Sequence, residues 1–470
     1  MAHFKRIRDP VHNLIIFDLE DRDSEVDKAA WQLINVPEFQ RLRRVKQLGV
    51  SEFTFPGATH TRFAHSIGVF HVARKLMKIA KKQCSDWNPN KARVALIAAL
   101  LHDIGHGPFS HAFEIAEKDR LKDRLGLYKD HEHWTAEIIA SERHGVRQVL
   151  KEIFGASGAI ADDVASLLTT DPTDIYAAVV SSSFDADRLD YLQRDRLMTG
   201  SGAGAIDFEW LLDNLRVVQV PSVVEEGESA VAIDHSESPT ENIETFAFEE
   251  KALQAVEAFI LARYHLYSQV YLHHATRGME QMISKFLFEF ANESARGVAA
   301  NLAVHEDHPL RAYYAEEPNI SRYLDLDDAV VWSAIEITAE RGNGSLKDQA
   351  KRIRDRKLMK SVAIDIQNPT AIDKARRRFI DTELLPKMEN SIFVDRAPLS
   401  IYKDAQRENV KPHKRVYIKR KHEEPVDVAR LSKPVQALAA GEEILRYYFL
   451  DESVRNSVLK ITGERDDETR

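Results

Sequence analysis

Residues 91–101 are apolar on nearly every face, and the two residues after them are His102 and Asp103. A helix that is apolar all round must be covered by other elements, so this segment predicts a central helix inside a multi-helix core. An imidazole and a carboxylate at the buried end of such a helix are costly unless something compensates them. A bound cation does so, because neutral imidazole together with carboxylate suits Zn, Fe, Mn and similar divalent metals. Gly105 and Gly107 then permit a tight turn that returns His106 and His111 toward the same place. The apolar run is far short of the ~18 residues that read as a membrane span. Residues 1–10 are polar and charged, unlike a signal peptide. With 44% hydrophobic and 30% charged residues, the composition is that of a globular chain. A net charge of −9 argues against a globally basic nucleic-acid binder. The lone Cys84 leaves no intrachain disulfide. The expectation is a soluble, cytoplasmic protein with no membrane partner.

Helical spacing recurs through most of the 470 residues. Beyond the central segment it predicts helices over 31–49, broken at Pro37, and over 65–83, 132–142, 161–168, 173–181, 185–197 and 252–293. Residues 215–233 alternate around Glu225-Glu226-Gly227-Glu228 and predict a β-hairpin insertion at about 215–235, with a polar loop over 235–241 after it. The character changes near residue 300. Charged helices are expected near 345–359 and 373–384, then the segment 391–402 and a basic stretch over 407–421, with Val416-Tyr417-Ile418 as a strand. There is no internal repeat and no low-complexity tract. The predicted fold is mainly α: a helical core over 1–300 with a small hairpin insertion, and a mixed α/β region over 301–470 used for assembly.

Histidines concentrate in one block: His60, His65, His102, His106, His111, His131 and His133. A single histidine on an apolar helix is ordinarily a satisfied core residue. A histidine–aspartate pair closing a buried helix is a different case. His65, in Arg62-Phe63-Ala64-His65-Ser66, and Asp187, in the run from Phe184 to Tyr191, complete a candidate metal set of His65, His102, Asp103 and Asp187.

Arg62, His65, His102-Asp103 and Asp187, in that order, resemble the HD-domain metal-dependent phosphohydrolases. Four stretches narrow the resemblance to the deoxynucleoside triphosphate triphosphohydrolase branch. They are Phe39-Gln40-Arg41-Leu42-Arg43-Arg44-Val45-Lys46-Gln47-Leu48-Gly49, Phe55-Pro56-Gly57-Ala58, residues 101–111 and residues 185–195. The similarity is dense over residues 5–280 and thin beyond about 300.

The resemblance implies an HD-domain helical core and hydrolysis of deoxynucleoside triphosphates to deoxynucleoside and inorganic triphosphate, with water attacking the α-phosphorus. It implies a divalent cofactor, Mn, Fe, Zn or Mg, on His65, His102, Asp103 and Asp187. The implied catalytic group is His131, Glu132, His111 and Asp187. His131 would handle proton transfer, a task suited to an imidazole of ordinary pKa about 6.5; His133 is the competing register. Arg62, Arg188 and Arg263 match phosphate-binding positions, with His106 and His111 as further donors. Gln47, Tyr191, Asp195 and Tyr271 match residues lining sugar and base, and Leu48 crowds the 2′ position. The family often has a second nucleotide site that promotes tetramers. The matching segments here are Lys5 to Asn13, Asn35 and Gln40 to Arg43. Asn35 stands where guanine-reading members carry aspartate, and its amide offers one acceptor and a donor group instead of two acceptors. Leu14 likewise replaces a polar residue. A guanine nucleotide is therefore not the expected activator.

Basic segments at 351–360, 374–378 and 407–421 leave three readings: contacts with single-stranded nucleic acid, a site for a nucleotide effector, or solvated faces. Two rivals stand beside the triphosphohydrolase: an HD-domain nuclease or phosphodiesterase, and a non-catalytic nucleotide sensor. A homo-oligomer, with a tetramer favoured, completes the expectations.

Overall fold

The computed structural model describes residues 4–20, 25–202, 205–222, 242–297, 299–388, 390–399, 402, 411–439 and 441–462. The helices that build the site are α1 (Glu25–Ile34), α2 (Arg62–Gln83), α3 (Pro89–Leu101), α4 (His111–Arg120) and α5 (His131–Ala140). They continue with α6 (Ala159–Thr169), α7 (Ile175–Val180), α8 (Ala186–Thr199), α9 (Leu253–Leu266), α10 (His274–Ala295) and α11 (Asp328–Arg341). The chain is mainly α, as its sequence predicts. Among the described residues no helix is long and apolar enough to cross a membrane.

The central helix is α3. Asn88 starts it by accepting from the N–H groups of Asn90 and Lys91 at 3.0 and 3.2 Å, with Pro89 at the first helical position. Ala95 and the run from Ile97 to Leu101 are fully buried. Around α3 lie α2, α6 and α7, while α8 packs on the other side of α2. The contact between α2 and α8 depends on Gly68. A Cβ there would lie 1.9 Å from Asp190 Oδ1 and 2.4 Å from Arg194 Nη2.

Three small sheets decorate the helices. Strands β1 (Phe4–Asp9) and β2 (Asn13–Asp18) form an antiparallel hairpin. The second sheet has the order β3–β4–β7–β8, from β3 (Leu215–Pro221), β4 (Asn242–Glu249), β7 (Tyr417–Lys419) and β8 (Val426–Asp427). In the third, β9 (Glu442–Phe449) lies between β5 (Lys360–Ile364) and β6 (Ile392–Leu399).

Several expectations are corrected. Among the described residues β3 pairs with β4, in the register Leu215↔Phe248 to Pro221↔Asn242. The expected turn at 225–228 and the loop over 235–241 lie outside the described residues. Burial decides the pairing: β4 contributes Phe246 and Phe248 to the core. The segment 31–49 does break at Pro37, where Val36 is extended (φ −70°, ψ 148°). Beyond the break, helix is shorter than expected: a turn over Pro37–Gln40 and a 3-10 turn over Arg41–Arg44. The expected helix over 252–293 is interrupted by a π-type turn at Tyr267–Tyr271, and α10 restarts with His273 Nδ1 accepting from Ala275 N–H at 3.2 Å. The strand in the basic stretch forms as β7, and Arg407 lies outside the described residues.

Residues on both sides of position 300 share one buried cluster. Val50, Phe109, Phe113 and Trp134 pack with Leu310, Tyr313, Tyr323, Leu326, Val331 and Ile335. Polar contacts reinforce it. Tyr323 Oη donates to Gly105 O at 2.6 Å. The buried Arg41 guanidinium donates to Ile104 O, His106 O and Leu326 O at 3.0, 2.7 and 2.8 Å. Asp328, at the start of α11, accepts from Phe109 N–H at 2.8 Å and from Lys46 N–H at 3.0 Å. One carboxylate thus ties the 46–48 segment to the turn before α4. Asp328→Ala is expected to lower stability by roughly 1–3 kcal/mol for each orphaned N–H. Asp328→Asn, which keeps one acceptor, should recover about half. Denaturant unfolding of the full chain checks both values.

Candidate active site

The site forms where helix ends meet. His65 lies one turn into α2, His102 and Asp103 come directly after the last residue of α3, and Asp187 is in the first turn of α8. Asp185 caps α8 by accepting from Arg188 N–H at 2.8 Å. His65 Nδ1 pairs with Asp190 Oδ2 at 2.8 Å, and His102 Nδ1 with Ala99 O at 2.9 Å. Both contacts assign the Nδ1 proton outward and leave Nε2 as the ligating atom on each ring. Each Nε2 is buried without a hydrogen-bond partner. His65 Nε2 is 3.0 Å from Asp187 Oδ1, near in distance but misaligned for a hydrogen bond.

His65, His102 and Asp187 place ligand atoms within 4.8 Å of one another. Asp103 stands beside them, with Oδ1 3.4 Å from His102 Nε2 and Oδ2 3.8 Å from His65 Nε2. Burial opposes protonation of His65, yet Asp187, Asp190 and Asp103 push it up to about 10. The acidic surroundings that would hold a proton there equally favour a divalent cation. Two orphaned imidazole nitrogens beside carboxylates fit Mn, Fe or Zn as a donor set.

This cluster lies on the wall of a cleft of about 450 Å³, a size suited to a small-molecule ligand. The buried Arg62 donates to Asp103 Oδ2 at 2.6 Å and to Ser110 Oγ at 3.2 and 2.8 Å through Nε and Nη2. Burial works against ionisation of Asp103, but Arg62, His102 and His106 outweigh it and hold the carboxyl well below the usual range. Phe109 and Ser110 both have positive φ, 52° and 51°. These are strained conformations, held here by the Asp328 and Arg62 contacts.

On the opposite side of Arg62, the His131 ring stacks on His106 at 4.0 Å. His131 Nδ1 pairs with Glu114 Oε1 at 2.6 Å, and Glu114 Oε2 with His111 Nδ1 at 3.1 Å. Burial would lower His131, but Glu114 raises it above its ordinary value. Burial, with Arg62 and His131, drives His106 well below 6.5, so that ring is neutral. The result is a histidine whose proton is held more tightly than usual, stacked against a neutral one, at a cavity that Arg62 also lines.

Of the residues selected from sequence, Gln47, Leu48, Arg62, His102, Asp103, His106, His111 and His131 line the cleft. So do Glu132, Asp187, Tyr191, Asp195 and Tyr271. His65 sits beneath, fully buried. Asp195 is held by His60 at 2.8 Å and Tyr271 Oη at 2.5 Å. Glu132 lines the cleft, while the residue that binds His131 is Glu114. His133 is exposed and pairs with its helix cap Asp130 at 2.7 Å. Arg188 and Arg263 are not on the cleft lining. Arg188 pairs with Asp185, and the Arg263 guanidinium lies 5.8 Å from the Tyr267 ring centre.

The residues expected at a second nucleotide site lie off the cleft lining. Lys5 Nζ is 5.8 Å from the Trp31 ring, and Asn35 Nδ2 donates to Trp31 O at 2.7 Å. Gln40 Nε2 donates to Ile34 O at 2.6 Å, and Arg43 Nε to Gln40 Oε1 at 2.8 Å. The Arg43 guanidinium lies 3.6 Å over the ring of Phe63, the sequence neighbour of Arg62. Sequence reasoning missed Glu114, Ser110 and Asp190, and the wall formed by Tyr267, Arg277 and Glu280. Glu114 is three residues after His111 on α4, a spacing that could have flagged it.

The HD domain family matches residues 62–192, and the HD associated region matches residues 241–438. The uncharacterised protein YwfO of Bacillus subtilis is 32% identical over 364 residues, 77% of this chain and 72% of that protein. A Dictyostelium discoideum homologue of the deoxynucleoside triphosphate triphosphohydrolase SAMHD1 is 29% identical over 287 residues. That match covers 57% of this chain and 48% of the relative, so the chain spans about half its length. A phosphohydrolase from Bacteroides thetaiotaomicron has the same fold, with TM-score 0.70 at 22% identity over 95% of this chain and 99% of that one. The helical core and its histidine–aspartate centre define a phosphohydrolase fold of the HD superfamily. The chain belongs to the HD-domain family.

The raised His131 predicts the sign of a pH effect. A step that uses its proton persists above pH 6.5 and fades as pH rises through the raised value. Glu114→Gln removes the charge that raises it, so the alkaline limb of kcat/KM should move to lower pH. An unmoved limb would show that this pair does not govern the reaction.

Proposed function

We propose that the protein hydrolyses deoxynucleoside triphosphates to deoxynucleoside and inorganic triphosphate, with a divalent metal ion on His65, His102, Asp103 and Asp187. The observation that carries this reading is one cleft in which the ligand cluster, the Arg62 guanidinium and the Glu114–His131 pair face the same space. A triphosphate brings charge that Arg62 can meet in forked fashion, with His111 as a further donor. A divalent cation bound there offsets charge on the phosphoryl oxygens and favours deprotonation of the attacking water.

In the proposed reaction, the water oxygen bonds to the α-phosphorus, its released proton passing to bulk solvent, and the bond from that phosphorus to the 5′ oxygen breaks. Protonated His131 gives its Nε2 proton to the leaving 5′ oxygen, while Glu114 holds the ring through Nδ1. Both tyrosines, Tyr191 and Tyr271, with their rings 6.3 Å apart, frame the sugar beside Asp195. Leu48 crowds the 2′ position, which favours deoxynucleotides. Arg188 and Arg263 are proposed to reach the phosphate tail only by leaving their present partners. A homotetramer is part of the proposal, with either activator-independent turnover or activation by a dNTP other than a guanine nucleotide at the Lys5, Asn35, Gln40 and Arg43 site.

The deciding experiment is incubation with the four dNTPs, the matching ribonucleotides and a labelled single strand, each with Mn²⁺ or chelator. Inorganic triphosphate from dNTPs alone is the expected result, and shortened strands would replace this reading with a nuclease. His131→Ala should lower kcat by ~10²–10⁴, the usual weight of a positioned acid. Asp187→Ala should lose both bound metal and turnover while keeping the helical circular dichroism. Micromolar GTP is expected to leave rate and oligomer mass unchanged; a saturable stimulation abolished by Arg43→Ala would contradict the reading of Asn35.

A further inference from the structure

The N-terminal hairpin reaches the centre of the site through one side chain. The side chain of His12, in the turn between β1 and β2, is 3% exposed, and its Nε2 lies 2.7 Å from Asp190 Oδ1. The other oxygen of Asp190 meets His65 Nδ1 at 2.8 Å. Asp190 is itself fully buried and is gripped by Arg194 Nε at 2.7 Å and Nη2 at 2.8 Å. Arg194 then extends to Asp9 Oδ2 at 2.8 Å. Asp9 Oδ1 closes the turn by accepting from the N–H groups of Val11 and His12, both at 2.9 Å.

Arg194 alone would neutralise Asp190. The Arg194 fork holds both oxygens, and the contact with His12 adds a restraint on Oδ1 that helps keep Oδ2 aimed at His65. Because Asp190 accepts from Nδ1, His65 must present Nε2 to the metal cluster, the tautomer that ligation needs. The resulting chain runs from the hairpin, whose Phe4 and Ile16 are exposed while Ile15 and Phe17 are buried in the core, to a buried ligand.

We propose that His12 is a positioning residue for the metal centre, acting on His65 through Asp190, so that hairpin docking and metal binding support each other; this rests on the metal reading above. Removing such an outer partner ordinarily weakens metal binding 10–100-fold. Reciprocity requires the metal to stabilise the docked hairpin in turn.

The test uses the full chain and Mn²⁺ alone. Equilibrium dialysis with elemental analysis is run on wild type, His12→Ala, His12→Gln and Asp187→Ala, alongside hydrogen exchange of residues 4–18 in wild type with and without Mn²⁺. The expected result is Mn²⁺ affinity reduced about 10–100-fold in His12→Ala, largely restored in His12→Gln, whose amide can still donate. Slower exchange of the hairpin on adding Mn²⁺ should accompany it. Equal affinity in His12→Ala and wild type, with Asp187→Ala defective, overturns the role of His12 and leaves the metal centre standing. No Mn²⁺ binding by wild type overturns both. Should His12→Ala fail to fold, the wild-type exchange decides alone: protection by Mn²⁺ supports the coupling, and unchanged exchange refutes it.

Discussion

Charge buried without water is the constraint around which this protein is organised. Asp103, Asp190 and Asp195 lie almost wholly out of solvent, on a turn and a helix that the apolar core holds together. Each is compensated by a specific cation or imidazole: Arg62 for Asp103, Arg194 for Asp190, His60 for Asp195. Leaving any one of them unpaired in that interior would cost several kcal/mol. The partners come from distant parts of the chain, so satisfying the charges also fixes how the helices sit.

That logic explains why the site forms at helix ends. The buried face of α3, with Ala95 and Ile97 to Leu101, is apolar, whereas the residues after its last turn, His102 and Asp103, must meet polar neighbours. Gly105 makes the exit possible. A Cβ at that position would lie 2.2 Å from Thr135 N and 2.4 Å from His131 O, so only glycine lets the turn pack against α5. The same turn carries the strained Phe109 and Ser110, and the residues that hold it, Tyr323 and Asp328, belong to the region beyond position 300. The region beyond position 300, most of which falls in the HD associated region, is therefore part of what shapes the cleft.

Much of the core is legible in the sequence. The all-round apolar run at 91–101, the helical spacing of 65–83 and 185–197, and the break at Pro37 reflect local rules of burial and backbone sterics. The cluster of His65, His102 and Asp187 that could hold a metal is legible too, because His102-Asp103 at a buried helix end has few inexpensive explanations. The interruption at Tyr267–Tyr271 is not, since nothing in the apolar spacing of 252–293 signals it. It becomes intelligible only when Tyr271 is seen reaching Asp195 and Arg446 reaching Leu272 O. The pairing of β3 escapes for a similar reason: alternation marks a strand but does not name its partner.

A helical core around one apolar helix, a histidine–aspartate centre at its end, and residue types able to hold a divalent cation and meet phosphate are written into the sequence. They arise from composition over a few turns, where side-chain chemistry and spacing act locally. Packing between remote segments settles the rest. It makes Glu114, and not the neighbouring Glu132, the partner that orients His131. It sets Asp190 and His12 behind His65, and it leaves Arg188 and Arg263 off the cleft lining. Those outcomes depend on distances between segments up to 178 positions apart, as for His12 and Asp190. Such distances are set by how whole helices pack, which no local pattern encodes.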